Sequence, residues 1–283
     1  RIGHLLDITL RELERVLYNG ALCGVSLQGD TYTYENPLLT SGERRRWSWH
    51  PCPCCPPMFL KLMGALPGFL YAQDAGGVYV NQFVGSRATL DVGGTEVTLR
   101  QETRYPWDGT IRLRVEPVRA AEFEVNVRLP GWCADPSLSV NGEPVAAIER
   151  VRGYARLRRT WKAGDVIELS LPMPVERVHA DPRVRADSGR VALRRGPVVY
   201  CIEVADNNGH VQDVYFPPDR PLSAVFRPDF LGGVMVVRGK GVALSPRPTD
   251  SDATEFDLTA IPYFANANRQ PGPMMVWIAE SPD

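Results

Sequence analysis

The strongest constraint on this chain is a change of hydrophobic period near residue 70. Upstream, Leu6, Leu10, Leu13 and Leu17 recur at spacings of four, three and four, which puts them on one face of a helix running from Leu5 to Leu22. Asn19-Gly20 is the expected place for that helix to break or cap. From Val25 to Leu27 and from Thr31 to Tyr34, around Gly29-Asp30, the chain makes a hairpin-like excursion before the polar loop at Asn36-Pro37. A second helical pattern, Phe59, Leu62, Met63 and Leu66, begins after Pro56-Pro57 and stops at Pro67-Gly68. Proline suits the first turn of a helix and not its interior, so both boundaries have a mechanism.

Downstream the pattern alternates. Strands are expected from Val78 to Val84, Ala88 to Val92, Thr95 to Gln101, Thr110 to Glu116, Glu122 to Leu129, Ser137 to Val140, Tyr154 to Trp161 and Val166 to Leu171. Gly93-Gly94 and Asn141-Gly142 stand where two-residue hairpin turns need positive φ. Many short strands with regular turn signals suggest a β-sandwich. After Pro172-Met173-Pro174 a second β block follows, with strands from Arg190 to Arg194, Pro197 to Glu203, Gly233 to Val237 and Met274 to Ile278. The expected fold is therefore mainly β with an N-terminal α remnant, divided as 1–70, 71–175 and 176–283.

At 283 residues the chain can bury a core without disulfide staples. Its 32 basic and 33 acidic residues leave a formal net charge of -1, so no overall field draws it to nucleic acid or anionic lipid. Every apolar run falls short of the ~20 residues that span a bilayer, so no membrane partner is expected. Self-association into a homo-oligomer stays open. Residue 1 is Arg and the amphipathic pattern begins almost at once, so the sequence is expected to be a piece of something longer.

Chemistry concentrates in Trp47-Ser48-Trp49-His50-Pro51-Cys52-Pro53-Cys54-Cys55-Pro56-Pro57-Met58. Six cysteines are too sparse for a disulfide framework, and three of them crowd into Cys52, Cys54 and Cys55. The thiolate is both nucleophile and metal ligand, and a place just before a helix favours it through unpaired N–H groups and the helix dipole. Cys54 and Cys55 hold that place. Packing as small buried apolar residues is the competing reading. A tetrahedral zinc needs about four donors, of which two adjacent cysteines supply half. His50 and Cys52 are local candidates for the rest, but Pro51 and Pro53 stiffen the segment, so donors from elsewhere are favoured.

These residues carry a resemblance. The run Cys52-Pro53-Cys54-Cys55-Pro56-Pro57-Met58, preceded by Tyr18-Asn19-Gly20 and by Tyr32-Thr33-Tyr34-Glu35-Asn36-Pro37-Leu38, resembles the C-terminal part of glycoside hydrolase family 127, the β-L-arabinofuranosidase family. The stretches from Gly189 to Tyr200 and from Leu258 to Tyr263 resemble it too. The resemblance implies that residues 1–70 are the last helices of an (α/α)6 catalytic barrel, followed by two β-sandwich domains. It implies a retaining hydrolase acting on an L-arabinofuranose-type carbohydrate, with Cys54 as nucleophile, Cys54 and Cys55 as zinc ligands, and Tyr34 as a sugar contact. In that family a Glu-x-Cys motif and an acid/base glutamate lie on earlier helices, and this sequence holds no Glu-x-Cys. The isolated chain is accordingly expected to bind zinc weakly and hydrolyse nothing. The alternative is a carbohydrate-binding or assembly module whose thiol cluster is structural.

Other features have blander readings. Arg44-Arg45-Arg46 is expected to be a solvated surface. Cys23, Cys133 and Cys201 are isolated, and His179 and His210 have no evident partner. Trp107 and Trp161 are expected in sandwich cores rather than on a sugar-binding surface. Free clustered thiols, and the lack of any Asn-x-Ser/Thr, lean toward a reducing, cytoplasmic location.

Overall fold

The computed structural model describes residues 10, 12–244 and 253–282. The chain forms two compact units, one of residues 1–14 with 57–173, the other of 15–56 with 174–283. The expected helix face at Leu6 lies outside the described residues. No helix among those described is long and apolar enough to cross a membrane.

The first unit carries two sheets. Six strands, Ser86–Val92, Thr95–Thr103, Thr110–Pro117, Asp165–Ser170, Ser137–Val140 and Glu143–Pro144, pair antiparallel in that order. Alternation decides which face is inside: in Thr95–Thr103, Val97 and Leu99 are fully buried while Glu96 and Arg100 are exposed. Gly93 and Gly94, and Asn141 and Gly142, all take positive φ, as two-residue hairpins require. The other sheet orders Glu149–Val151, Tyr154–Trp161, Ala121–Arg128, Gly77–Val80 and Tyr71–Gln73. Its pairing of Gly77–Val80 with Ala121–Arg128 is parallel, and Gly77 lies so close to the Glu124 backbone that a Cβ there would collide. The strand expected to reach Val84 ends at Val80, because the next two amides, Asn81 and Gln82, turn to Leu70 O. Trp161 is fully buried and donates to Phe123 O at 3.1 Å, so it is a core residue.

A buried ion pair ties the helical residues 12–14 into this unit. Arg128 and Glu14 side chains are each 2% exposed, with Arg128 Nη2 2.5 Å from Glu14 Oε1. Tyr105 Oη donates to Glu14 Oε1 at 2.6 Å, Trp132 Nε1 donates to Oε2 at 3.2 Å, and Arg128 Nε donates to Asn81 O at 2.5 Å. Every charge-bearing atom of this pair faces a partner, the condition for burying it.

In the second unit ten strands form a single hydrogen-bonded sheet network, running from Leu39–Ser41 at one end to Val175–Val178 at the other. Leu193, Tyr200, Ile202, Phe216, Val237, Leu258 and Met275 fill its core. The strand expected to end at Val237 continues as Val234–Ala243, through Gly239 and Gly241. Both glycines sit against aromatic rings, of Phe216 and Phe256 respectively, so residues that resemble strand breakers make room for the core. Its partner strand Thr254–Pro262 buries Phe256, Leu258 and Ala260.

The helical lead-in differs from expectation. Residues 12–16 are α-helical, Leu17–Ala21 form a π-turn and Leu22–Gly24 a 3-10 turn, so Asn19-Gly20 does not end the helical path. Asn19 is instead a clasp: its Nδ2 donates to Pro197 O at 2.8 Å and its Oδ1 accepts from Val199 N at 2.8 Å, next to strand Val198–Glu203. A π-bulge is a common way to aim one side chain out of a helix.

Candidate active site at the thiol cluster

Three short backbone segments converge on the thiols. Tyr32 bridges Val25 on one side and Trp47 on the other, with Tyr32 N to Trp47 O at 3.0 Å and Trp47 N to Tyr32 O at 2.8 Å. Thr33 N donates to Gly24 O at 2.8 Å. Arg44 then locks the segment that presents Tyr34: its Nη2 donates to Thr33 Oγ1 at 2.8 Å and Glu35 O at 2.7 Å, and its Nη1 to Asn266 Oδ1 at 2.9 Å. Arg46 donates to Ala267 O and Asn266 O at 3.2 and 2.9 Å. Of the three arginines expected on a solvated surface, only Arg45 is exposed; the other two are structural clamps, because the loop carbonyls they meet have no strand partner.

The result is an aromatic box. Tyr34 and Trp47 rings meet edge-to-face at 5.3 Å, Tyr34 and His50 at 4.8 Å, and Trp47 and His50 lie 4.7 Å apart. The resemblance singles out Tyr34 alone; Tyr32, which alternates with it across Thr33, and Trp47, which opens the thiol segment, complete the box. His50 Nδ1 lies 3.2 Å from Cys52 N.

Helix α1, Cys55–Ala65, begins at the second thiol of the adjacent pair, with Pro56 and Pro57 in its first turn, and none of its residues is buried. Cys54 precedes it. Cys52, Cys54 and Cys55 are all exposed free thiols, so the reading as buried apolar packing does not hold for them; Cys23, Cys133 and Cys201 are the buried ones. Cys54 Sγ lies 3.8 Å from Cys55 Sγ.

The two sulfurs are not equivalent. Hydrogen bonding from Cys55, then from Cys52, and also from the Tyr34 hydroxyl, holds the Cys54 thiol below its ordinary range. Desolvation, followed by the neighbouring Cys54 sulfur, pushes Cys55 up. The arrangement is that of one thiolate accepting from surrounding donors. Tyr34 is pushed up to about 12, first by desolvation and then by the Cys54 charge. The hydroxyls of Tyr34 and Tyr32 are buried with no well-formed hydrogen bond. Buried polar atoms of that kind mark a place where a further group belongs.

Whether a metal suits the pair can be tested on geometry. Two thiolates bound to one tetrahedral zinc at about 2.3 Å lie about 3.8 Å apart, and the observed sulfur separation is 3.8 Å. The donor set is soft, as zinc prefers. It is also half a set: among the described residues no group of three or more His, Cys, Asp and Glu is arranged to hold a metal ion, and His50 Nδ1 is engaged by the Cys52 amide.

Comparison with known proteins follows the same lines. Residues 9–68 match the family description of the β-L-arabinofuranosidase (GH127) catalytic domain, 77–173 its middle domain and 175–279 the family's C-terminal domain. The chain belongs to glycoside hydrolase family 127. A non-reducing end β-L-arabinofuranosidase of Bifidobacterium longum subsp. longum is 34% identical over 299 residues, which cover 94% of this chain and 44% of the relative. The crystal structure of a family 127 β-L-arabinofuranosidase from Geobacillus stearothermophilus T6 aligns with TM-score 0.92 at 39% identity, covering 97% of this chain and 46% of that one. A second solved family 127 β-arabinofuranosidase aligns with TM-score 0.90 at 36% identity, covering 99% and 46%. This family 127 chain thus spans less than half the length of the relatives it matches.

Proposed function

We propose that this chain is the part of a retaining β-L-arabinofuranosidase that carries the nucleophile and half of a zinc site. The observation that carries the reading is the adjacent pair of exposed free thiols at the start of α1, with a sulfur spacing suited to one zinc. Family membership and the activities named for the similar proteins support it.

Cys54 and Cys55 would hold the metal. When bound, zinc would keep both sulfurs deprotonated at neutral pH. The Cys54 thiolate attacks the anomeric carbon, a C–S bond forms as the C–O bond to the aglycone breaks, and an acid supplies the leaving oxygen with its proton. The same group, now a base, takes a proton from water, which attacks the anomeric carbon and returns the electron pair to sulfur, with net retention. Tyr34 stands beside the reacting sulfur, where its hydroxyl would meet a sugar oxygen.

Two thiols cannot complete a tetrahedral site, and no acid/base carboxylate is identified among the described residues around them. We place the remaining zinc donors, the acid/base glutamate and the rest of an (α/α)6 barrel in polypeptide beyond these 283 residues, with residues 1–70 as its last helices and 71–175 and 176–283 as two β-sandwich domains. The 283-residue chain alone should then turn over no p-nitrophenyl β-L-arabinofuranoside. Appreciable hydrolysis by this chain, retained after Cys54→Ser, would overturn the assignment.

A further inference from the structure

The first unit holds a cleft that the thiol chemistry does not use. It has a volume of about 450 Å³ and is lined by Asp74, Tyr79, Asn126, Arg152, Tyr154 and Arg156 among others. We propose that this cleft binds a neutral sugar residue, stacked on Tyr79 and hydrogen-bonded between Asp74 and Arg152. The inference rests on the geometry of the cleft and not on the thiol pair.

The floor is aromatic. Tyr79 is half-buried and packs edge-to-face on Tyr154 at 5.4 Å, which fixes its ring. Tyr154 is in turn anchored by its hydroxyl to Asn81 Oδ1 at 2.7 Å. A rigid ring with one apolar face and a polar tip is suited to the C–H face of a sugar.

The polar groups are fixed in place as well. Asp74 Oδ1 accepts from Gly76 N at 2.9 Å and Gly77 N at 3.0 Å, and its Oδ2 accepts from Tyr79 Oη at 2.9 Å. This turn holds the carboxylate ionised, below its ordinary range, with the Gly76 hydrogen bond as the main cause. A carboxylate has about four acceptor positions, so one remains for a ligand. Asn126 is 3% exposed and its Nδ2 reaches Val78 O only at 3.4 Å, leaving its amide weakly committed.

Arg152 supplies the second observation. It occupies the tip of the Glu149–Val151 to Tyr154–Trp161 hairpin with φ +53°, a conformation disfavoured for any residue with a Cβ and filled in most such turns by Asn, Asp or Gly. Its exposed guanidinium makes no hydrogen bond or ion pair among the described residues. A strained residue whose free head lines a cleft is a candidate for function rather than stability.

Charge selects the ligand class. Arg156 is shared between Glu149 at 3.4 Å and Glu124 at 3.6 Å, and is therefore compensated. Asp74 and Arg152 carry opposite charges, so the ligand sees one acceptor group and one donor group, while the second glutamate beside Arg156 leaves the surroundings with one net negative charge. Each sugar hydroxyl donates and accepts, and such a pair satisfies it; a carboxylated sugar would meet Asp74. The volume lies within the usual range for ligand sites, about 300–1,000 Å³.

The test is calorimetric titration of the 283-residue chain, in a Cys54→Ser background, with α-1,5-arabinotriose as the neutral probe and trigalacturonate as the anionic one. Saturable binding of arabinotriose is expected, weakened about fivefold by loss of the Arg152 donors in Arg152→Gly. Glycine adopts the same φ without strain, so the melting temperature of that variant should hold or rise while affinity falls, which a structural role for Arg152 would not produce. Tyr79→Phe should retain stacking and bind within a small factor of the parent, whereas Tyr79→Ala should lose binding. The proposal is overturned if arabinotriose gives no saturable heat, if Arg152→Gly binds as tightly as the parent, or if trigalacturonate binds the more tightly.

Discussion

Replacing Glu14 by alanine isolates the interaction that fixes the helical segment in the first unit. The change leaves Arg128, whose side chain is 2% exposed, without its counter-charge. It also strips the Tyr105 hydroxyl, 2.6 Å from Glu14, and the Trp132 indole N–H, 3.2 Å away, of their acceptors. Removing one partner of a buried pair typically costs 3–5 kcal/mol, because a buried charge is left uncompensated. Arg128 retains Asn81 O at 2.5 Å and the Phe83 ring at 5.2 Å, which softens the loss, so about 4 kcal/mol is expected. At roughly 4 °C per kcal/mol for a unit of this size, the melting transition should fall by about 15 °C. Differential scanning calorimetry reads this directly. The double variant Glu14→Leu with Arg128→Met, which removes both charges and keeps volume, should recover most of it. A loss below about 1 kcal/mol for Glu14→Ala, or a double variant as unstable as the single one, would refute the argument that uncompensated charge is the cost.

Other expectations follow from single contacts. Gly109→Ala would drive a Cβ into the Leu171 carbonyl, the group next to a 2.9 Å Leu171 N to Gly109 O bond, and should cost about 1–3 kcal/mol in chemical denaturation. Arg44→Ala removes three hydrogen bonds around Thr33, Glu35 and Asn266 and should cost about 2 kcal/mol, while increasing hydrogen exchange at Tyr34. Because Asp74 is held below its ordinary range, its contribution to stability is complete above about pH 4 and is lost as pH falls through the lowered value. The stability difference between the parent and Asp74→Asn should therefore shrink on acidification through that window; a difference that grows would contradict the sign. Equilibrium dialysis should find zinc held weakly by the 283-residue chain, and less still after Cys55→Ser.

How much of this was legible beforehand depended on what local spacing can carry. The antiparallel meander was readable because Val97 and Leu99 alternate with polar neighbours, and because Gly93-Gly94 and Asn141-Gly142 announce turns whose φ is positive. The prolines mark α1 to within two residues, although it starts at Cys55, ahead of them, and Pro67 opens a further helical turn, Pro67–Leu70, beyond its end at Ala65. The strand expected from Gly233 to Val237 runs on to Ala243 through Gly239 and Gly241, and a glycine that admits a ring from across the sheet looks the same in sequence as one that breaks a strand. The clasp made by Asn19 is hidden from local spacing for a related reason: its partners, Pro197 and Val199, lie about 180 residues away. At the site, adjacency and the helix start single out Cys54 and Cys55, but local spacing leaves Arg44 and Arg46 on the surface because the carbonyls they bind, at Asn266 and Ala267, are remote in sequence.

The Cys54 sulfur is the nucleophile of the proposed reaction, and peptide mapping by mass spectrometry tests that role most directly. The full-length polypeptide, quenched in acid during turnover of a β-L-arabinofuranoside, should carry one pentosyl group on the peptide containing Cys54, absent after Cys54→Ser and present on no carboxylate. A pentosyl group found on an aspartate or glutamate, with Cys54 unmodified in an active enzyme, would contradict it.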